Sequence, residues 1–484
     1  MHVPTALREL QAETGAEVFL VGGAVRDLLR GKQPNDLDFV VRGVTAEVLE
    51  AFLRTRGDVT LAGKSFGVYI FRPHGARAFV EVALPRTETS TGEGHDQFAI
   101  TTDPQISLEE DSARRDFTIN ALYLPLESIA PSGEADPSAV LDFHRGLEHL
   151  TQRLILSVGD PQLRINEDPL RMLRAAVLVA RTGFRLEGNT FAAIKRNATK
   201  ITTVPWERIR DEFIKIVSSK TPSRALKVMR RTGLLREILP ELDACHGCGQ
   251  NPKYHSFPVF EHLLAATDAA CQITSRLDVR LGTLFHDLGK ATTRALRVEG
   301  GDPDDVTFYN HELESTKMAF QLMCRMKFPR EFTEDVVQLV RQHQYKYDRS
   351  WTDKAIRRFI RTVGITEEDL KDLDNHPQFL LRQADRMGND LKKHLPITQK
   401  QRDFQERIRT VFHSSSAHSQ RDLAVNGTTL IQELGLKAGP LLGKTLRHLF
   451  DAVEERPELN EHGKLVELAR IFVEENKDGS SQTD

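Results

Sequence analysis

Two aspartates, Asp36 and Asp38, stand at i and i+2 in the run Asp36-Leu37-Asp38-Phe39-Val40-Val41, whose apolar residues read as a strand. Alternation along a strand sends both carboxylates to one face and Leu37 and Phe39 to the other. Two like charges side by side call for a divalent cation, although two solvated aspartates at a strand end explain the pair alone more simply. The preceding segment raises the odds: Val21-Gly22-Gly23-Ala24-Val25-Arg26-Asp27 reads as a strand entering a Gly-Gly turn and then a helix. Backbone N–H groups at such a helix start favour an anion, with Arg26 one turn in. A third acid, Glu81, interrupts the strand-like run Ala78-Phe79-Val80-Glu81-Val82-Ala83. Three carboxylates on adjacent strands suit two Mg²⁺ ions about 3.5 to 4 Å apart, one activating a hydroxyl and one stabilising departing pyrophosphate. The chemistry this composes is nucleotidyl transfer.

Three further groups of residues carry chemical potential. Glu167-Asp168-Pro169-Leu170-Arg171 reads as the start of a helix, with acids in the first turn and an early proline. Asp168, Arg171 and Arg174 recur every three residues and can share a face, which by itself describes only a surface ion pair worth about 0.2 to 0.5 kcal/mol. His262, then His286-Asp287, then Asp385 form a series of metal-ligating groups within helical sequence, with His311 and His343 as auxiliary phosphate or second-metal ligands. Single histidines on helices are most often core or surface residues, but the series is not so easily dismissed. Cys245 and Cys248 have a C-x-x-C spacing without the second pair a zinc site needs, and read as ordinary thiols near a turn.

The elements that must position these residues fall into two regimes. From Glu17 to Tyr123 short β-rich runs (Val18 to Val21, Leu37 to Val41, Val68 to Phe71, Ala78 to Ala83) alternate with turns and a helical stretch at Ala46 to Arg56, as in a compact α/β or α+β domain. Beyond about Leu150 helical periodicity takes over, at Asp168 to Arg181, Trp206 to Val217 and Pro222 to Leu239. Turn-rich punctuation at Gly247 to Pro258, a loop at Gly300 to Asp305 and a linker-like run at Ser414 to Ser419 divide that helical portion, and the tail from Lys477 reads as disordered. At 484 residues the chain predicts about three or four domains.

With 66 basic and 69 acidic residues the formal charge is −3, which excludes a globally basic nucleic-acid binder; any such footprint must be regional. One region qualifies, Arg185 to Arg231, with 12 basic and 4 acidic residues, although solvated helix faces explain it more simply. The charged N-terminus and the lack of any long apolar run predict a soluble cytoplasmic protein without a membrane span. Four cysteines in so long a chain fit a reducing compartment.

Four motifs, in order, carry a resemblance: Gly22-Gly23-x-x-Arg26-Asp27, Asp36-x-Asp38, Arg114-Arg115-Asp116-Phe117-Thr118-Ile119-Asn120-Ala121, and Glu167-Asp168-x-x-Arg171-x-x-Arg174-Ala175. Together with Leu423-Ala424-Val425-Asn426-Gly427 and Gly439-Pro440, they resemble the class II tRNA nucleotidyltransferases and bacterial poly(A) polymerases of the polymerase-β superfamily. The His and Asp series resembles the HD phosphohydrolase domain, in which two His and two Asp hold a divalent metal that activates water.

The resemblance implies a multidomain α+β fold. Its parts are a polymerase-β-like α/β head (residues 1–150), an all-α neck with the nucleotide-selecting motif (151–240), an HD domain (241–395) and a helical tRNA-binding body (396–484). It implies Asp36, Asp38 and Glu81 as catalytic, with Mg²⁺ on Asp36 and Asp38. Arg115 and Asp116 become the ribose- and nucleotide-contacting pair, and Gly23, Arg26 and Arg174 triphosphate contacts. His262, His286, Asp287 and Asp385 would hold a divalent transition metal. One departure is Val177, where many members continue the arginine row.

Cytosine and adenine each offer an amino donor beside a ring-nitrogen acceptor, whereas uracil and guanine present a carbonyl beside an N–H. A carboxylate beside a guanidinium therefore fits C and A and leaves unpaired groups with U or G, a mismatch worth a factor of roughly 10⁴. In the resembling enzymes the aspartate and arginine matching Asp168 and Arg171 select CTP and ATP in this way. The polar stretch Thr87 to His95 matches a flexible loop that switches the site from C to A, so the expected activity is addition of C, C and A to the tRNA 3′ end. The basic region then meets the acceptor arm, and no obligate protein partner is evident. CC-only, A-only or poly(A) addition are the neighbouring alternatives. A reading of a different class is an HD phosphohydrolase with a degenerate, RNA-binding head.

Overall fold

The computed structural model describes residues 4–34, 36–61, 67–90, 98–130, 132–298, 302, 304–345, 347–389, 399–414 and 420–478. The end of the Thr87 to His95 stretch, from residue 91, most of Ser414 to Ser419 and the end of the tail lie outside them. The chain forms two compact units, Met1–Ala244 with Leu322–Phe328, and Cys245–Gln321 with Pro329–Asp484.

The first unit opens with a seven-stranded sheet. Its strands are β1 (Glu17–Val21), β2 (Asp38–Arg42), β3 (Gly57–Leu61), β4 (Val68–Pro73), β5 (Val80–Ala83), β8 (Leu122–Pro125) and β9 (Leu141–Asp142), in the order β3-β4-β5-β2-β1-β8-β9. Only β2 and β5 run parallel, joined through the Ala46–Arg56 helix and the β3–β4 hairpin. Thr45 caps that helix by accepting the Val48 N–H, and Leu49 and Leu53 bury its inner face against Leu20, Phe39, Val41, Phe71 and Val82. Full burial of such side chains is worth about 1.5 to 3 kcal/mol each. A separate hairpin, β6 (Arg86–Ser90) and β7 (Phe98–Thr102), forms where polar composition alone predicts loop, because its stems pair with each other rather than with the sheet.

The remaining helices of this unit include Pro161–Glu167, Leu170–Thr182, Gly188–Asn197 and Trp206–Val217. Two expectations are corrected here. Residues 222–239 are not one helix: Gly233, at φ 86°, closes Pro222–Thr232 and Leu234–Ile238 begins anew. Glu167 and Asp168 do not open a helix either, since Glu167 ends one and Asp168 is extended at φ −139°, ψ 101° before Leu170 starts the next.

In the second unit the helices Val259–Ile273, Leu277–Phe285, Arg330–Gln342 and Pro377–Met387 pack together, followed by an aromatic cluster of Tyr345, Tyr347, Trp351, Phe359, Phe379 and Phe404. A last core gathers the helices Gly427–Leu434, Pro440–Glu455 and His462–Asp478. Among the described residues no helix is long and apolar enough to cross a membrane.

Candidate functional sites

Sheet register builds the first site. Asp38 begins β2 opposite Val21, the last residue of β1, and is the parallel partner of Glu81 on β5. Asp36 precedes the strand and is exposed, yet it lines the same cavity as Asp38, so both carboxylates open on one space. Glu81 is exposed as well, the outward residue of a strand whose neighbours Val80 and Val82 are buried. Burial raises the Asp38 carboxyl to about 6, with Glu81 and Asp36 adding to the rise and Arg115 and Arg174 opposing it. Gly22 takes φ 71° at the turn; a Cβ there would lie 3.5 Å from Arg115 Nη1 and 3.9 Å from Asp38 Oδ2. Those are ordinary contact distances, so the turn needs glycine for its left-handed backbone.

Gly23, Arg26, Asp36, Asp38, Asp116 and Arg174 line one cavity of about 220 Å³. Arg26 is buried and its donors are engaged, Nε and Nη2 by Asp27 and Nη1 by Asn120 Oδ1 at 2.7 Å. Arg174 donates from Nε to Asp116 Oδ2 at 2.8 Å. Burial works to raise the Asp116 carboxyl, but Arg174, Arg171 and the Phe117 N–H hold it below its ordinary value. Val177 presents an apolar wall to this cavity, while Arg181, one turn on, and Lys215, paired to Glu212 at 2.7 Å, supply cations around it.

Asp168 and Arg171 stand beside this cavity rather than in its lining, linked to it through Asp116. Arg171 donates to Glu167 at 3.2 Å and to the Arg114 carbonyl at 2.9 Å. Asp168 accepts the Leu170 N–H at 3.1 Å and Arg208 Nη2 at 2.9 Å.

Two supporting residues escaped sequence reasoning. One is Arg208. The other is Asp111, a fully buried carboxylate that accepts from the Tyr123 hydroxyl at 2.6 Å, from Arg114 and from the Arg86 N–H. Tyr123 in turn accepts Arg115 Nε at 2.9 Å. Asp111 lies four residues before Arg115 in a helix capped by Ser107, so periodicity was the available signal; nothing local announced Arg208.

The second site lies in the other unit and unites the whole His and Asp series. Nε2 of His262 is 3.4 Å from Nε2 of His286 and 3.1 Å from Asp385 Oδ1, and His286 Nε2 is 3.3 Å from Asp287 Oδ2. On the other side of the same carboxylate, Asp287 Oδ1 lies 3.2 Å from His311 Nε2 and 3.5 Å from His343 Nε2. His286, His311 and His343 each place Nδ1 at 2.7 Å from a backbone carbonyl, of Thr283, Phe308 and Val340. Carbonyls only accept, so Nδ1 carries a proton, and in the neutral ring Nε2 is left as a lone pair. Asp287 Oδ1 and Nε2 of His311 and His343 accordingly converge as buried atoms without hydrogen-bond partners. Acceptors facing acceptors fit a cation, and the ligand atoms lie within 4.8 Å of one another inside each of two sets, His262, His286 and Asp385, and Asp287, His311 and His343.

Lys290 Nζ is 2.6 Å from Asp287 Oδ2. The cavity above holds about 500 Å³, with Arg382, Arg386, Lys400, Tyr345 and Tyr347 in its walls. Cys245 and Cys248 stay apart from this cluster, their thiols 3.7 and 3.8 Å from the carbonyls of Leu288 and Lys290.

Comparison with known proteins follows the same division. Residues 18–156 match the poly A polymerase head domain, 183–245 the probable RNA and SrmB-binding site of polymerase A, and 307–469 a putative tRNA nucleotidyltransferase domain 2. The multifunctional CCA protein of Cupriavidus taiwanensis is 33% identical over 68% of this chain and 74% of its own length. That of Paracidovorax citrulli is 35% identical over 68% and 73%. The Bacillus stearothermophilus CCA-adding enzyme, solved with CTP, superposes over 99% of this chain and 98% of its own at a TM-score of 0.62 and 22% identity. At that identity the likeness concerns the fold, an α/β head followed by a helical body. With a third of its residues shared with those relatives across two thirds of its length, the chain belongs to the CCA protein family of tRNA nucleotidyltransferases.

Proposed function

We propose that this protein adds C, C and A to the 3′ end of tRNA from CTP and ATP, releasing pyrophosphate at each step. The observation that carries the reading is the cross-strand pair Asp38 and Glu81 with Asp36 beside them, a cluster in which burial first and then the neighbouring carboxylates push Asp38 up to about 6, and which a divalent cation would relieve. Mg²⁺ on Asp36 and Asp38 would supply Lewis acidity to the attacking 3′-hydroxyl and the departing pyrophosphate. Arg26 and Arg174, in the cavity lining, would meet the triphosphate, and Asp116 there with Arg115 would meet the sugar, while Asp168 and Arg171, beside that lining, would meet the base. Division into head (1–150), neck (151–240), HD domain (241–395) and body (396–484) remains part of this proposal, as does binding of the acceptor arm by the basic neck.

Extension of tRNA lacking its 3′ end, resolved to single nucleotides, tests it. Growth by two with CTP and by three with CTP and ATP is expected, and both are lost in Asp36→Ala. A stop at CC, extension only of tRNA already ending in CC, or a long A tract would each replace the proposal with a partial enzyme or a poly(A) polymerase.

A second activity is supported by the unpaired Nε2 atoms around Asp287. We propose that His262, His286, Asp287 and Asp385 hold a divalent metal that activates water for hydrolysis of a phosphoester, with His311 and His343 able to hold another. Arg382, Arg386 and Lys400 would receive the phosphate. A 3′-phosphate or 2′,3′-cyclic phosphate at an RNA end suits such a pocket in a chain that also carries a tRNA-finishing site.

A further inference from the structure

Asp168 and Arg171 are three residues apart and of opposite charge, and a pair so spaced can satisfy itself. Paired with each other, they would offer a base neither a free acceptor nor a free donor. The structure partners them separately. Arg171 is taken by Glu167 at 3.2 Å and by the Arg114 carbonyl. Asp168, extended between two helices, is taken by Arg208, which reaches it from the Trp206–Val217 helix. The carboxylate is thus held at both oxygens, Oδ1 by the Leu170 N–H at 3.1 Å and Oδ2 by Arg208 Nη2 at 2.9 Å. Two anchored oxygens fix the plane of the carboxylate and hence the direction of its remaining lone pairs.

The anchoring is not cheap for the fold. Arg208 Nη1 is buried without a hydrogen-bond partner, and an unsatisfied buried donor is a destabilising feature. Other contacts of the helix suffice to pack it: Ile209, Phe213, Ile216 and Val217 are buried. A charged residue kept at a cost in the one place where it touches the base-selecting carboxylate points to selection rather than stability.

We infer that Arg208 is a positioning residue for base choice. It holds the Asp168 carboxylate in plane and away from Arg171, so that the amino edge of C or A meets a fixed acceptor and the carbonyl edge of U or G meets no donor. The inference rests on the reading of Asp168 as the base acceptor given above.

The test measures kcat/KM of the full-length protein for CTP, UTP, ATP and GTP on tRNA ending before or after CC. Arg208→Ala is expected to lower the CTP:UTP and ATP:GTP ratios by roughly 10- to 100-fold, with Arg208→Lys recovering part of the ratio. A merely structural role would lower all four values together and leave the ratios unchanged, which would overturn the inference. If Arg208→Ala does not fold, Arg208→Gln decides, because it keeps the stem and loses the charge: a wild-type ratio in that variant overturns the inference, and a lowered one supports it. Asp168→Ala separates the two levels. Loss of selectivity there with none in the Arg208 variants defeats only the positioning role, whereas unchanged selectivity in Asp168→Ala defeats the reading of the base site itself.

Discussion

Asp38 illustrates how a single residue pays for its chemistry in stability. Its carboxyl is raised by burial and by Glu81, so the folded state holds its proton more tightly than the unfolded chain does. A raised carboxyl stabilises the fold while protonated, and this contribution is lost as pH rises from the ordinary aspartate range through about 6. In metal-free protein, Asp38→Asn is therefore expected to raise thermal stability at pH 7.5 by on the order of 2 kcal/mol while changing little near pH 4. Calorimetry at the two pH values checks this. Addition of Mg²⁺ should stabilise the native protein and not the variant, since a ligand bound only by the folded state shifts its unfolding.

At the scale of elements, the second site depends on how closely two helices approach. A Cβ on Gly388, just after the Pro377–Met387 helix, would lie 2.5 Å from Ala266 N and Cα on the Val259–Ile273 helix. Those helices carry Asp385 and His262, whose ligand atoms are 3.1 Å apart. Gly388→Ala must push them apart, so a loss of about 1 to 3 kcal/mol is expected, together with weaker stabilisation by added Mn²⁺ or Ni²⁺. Thermal unfolding with and without the ion reads both effects. In the first unit the break at Asp168, which Pro169 enforces by barring a continuous helix, plays the comparable part: in a helix through 167–170, Asp168 would project from a helix face instead of standing free for Arg208.

Over the whole molecule, the two sites fall in separate compact units. Their activities are therefore expected to dissociate under mutation. His286→Ala should abolish metal-dependent hydrolysis of 2′,3′-cyclic nucleotides and leave CTP incorporation within about twofold, because substitutions at sites that share no partners act independently. Asp36→Ala should do the reverse. Survival of hydrolysis in His286→Ala, measured by phosphate or nucleotide release, would remove the second activity from the His and Asp cluster.

Sequence by itself determined the identity of the elements wherever local pattern and burial agree. The Ala46–Arg56 and Trp206–Val217 helices and the existence of β1, β2, β4 and β5, with edges shifted by one or two residues, were legible because alternation and helical period are local properties, and the His and Asp series was legible from its residue types. Tertiary structure alone decided the partners. Register between β2 and β5 set Asp38 against Glu81, Gly233 broke a helix that periodicity would continue, and Arg208 crossed 40 positions to reach Asp168. Spacing along a chain fixes which face a side chain leaves by, but not what it meets there; that depends on which distant element the folded core brings alongside.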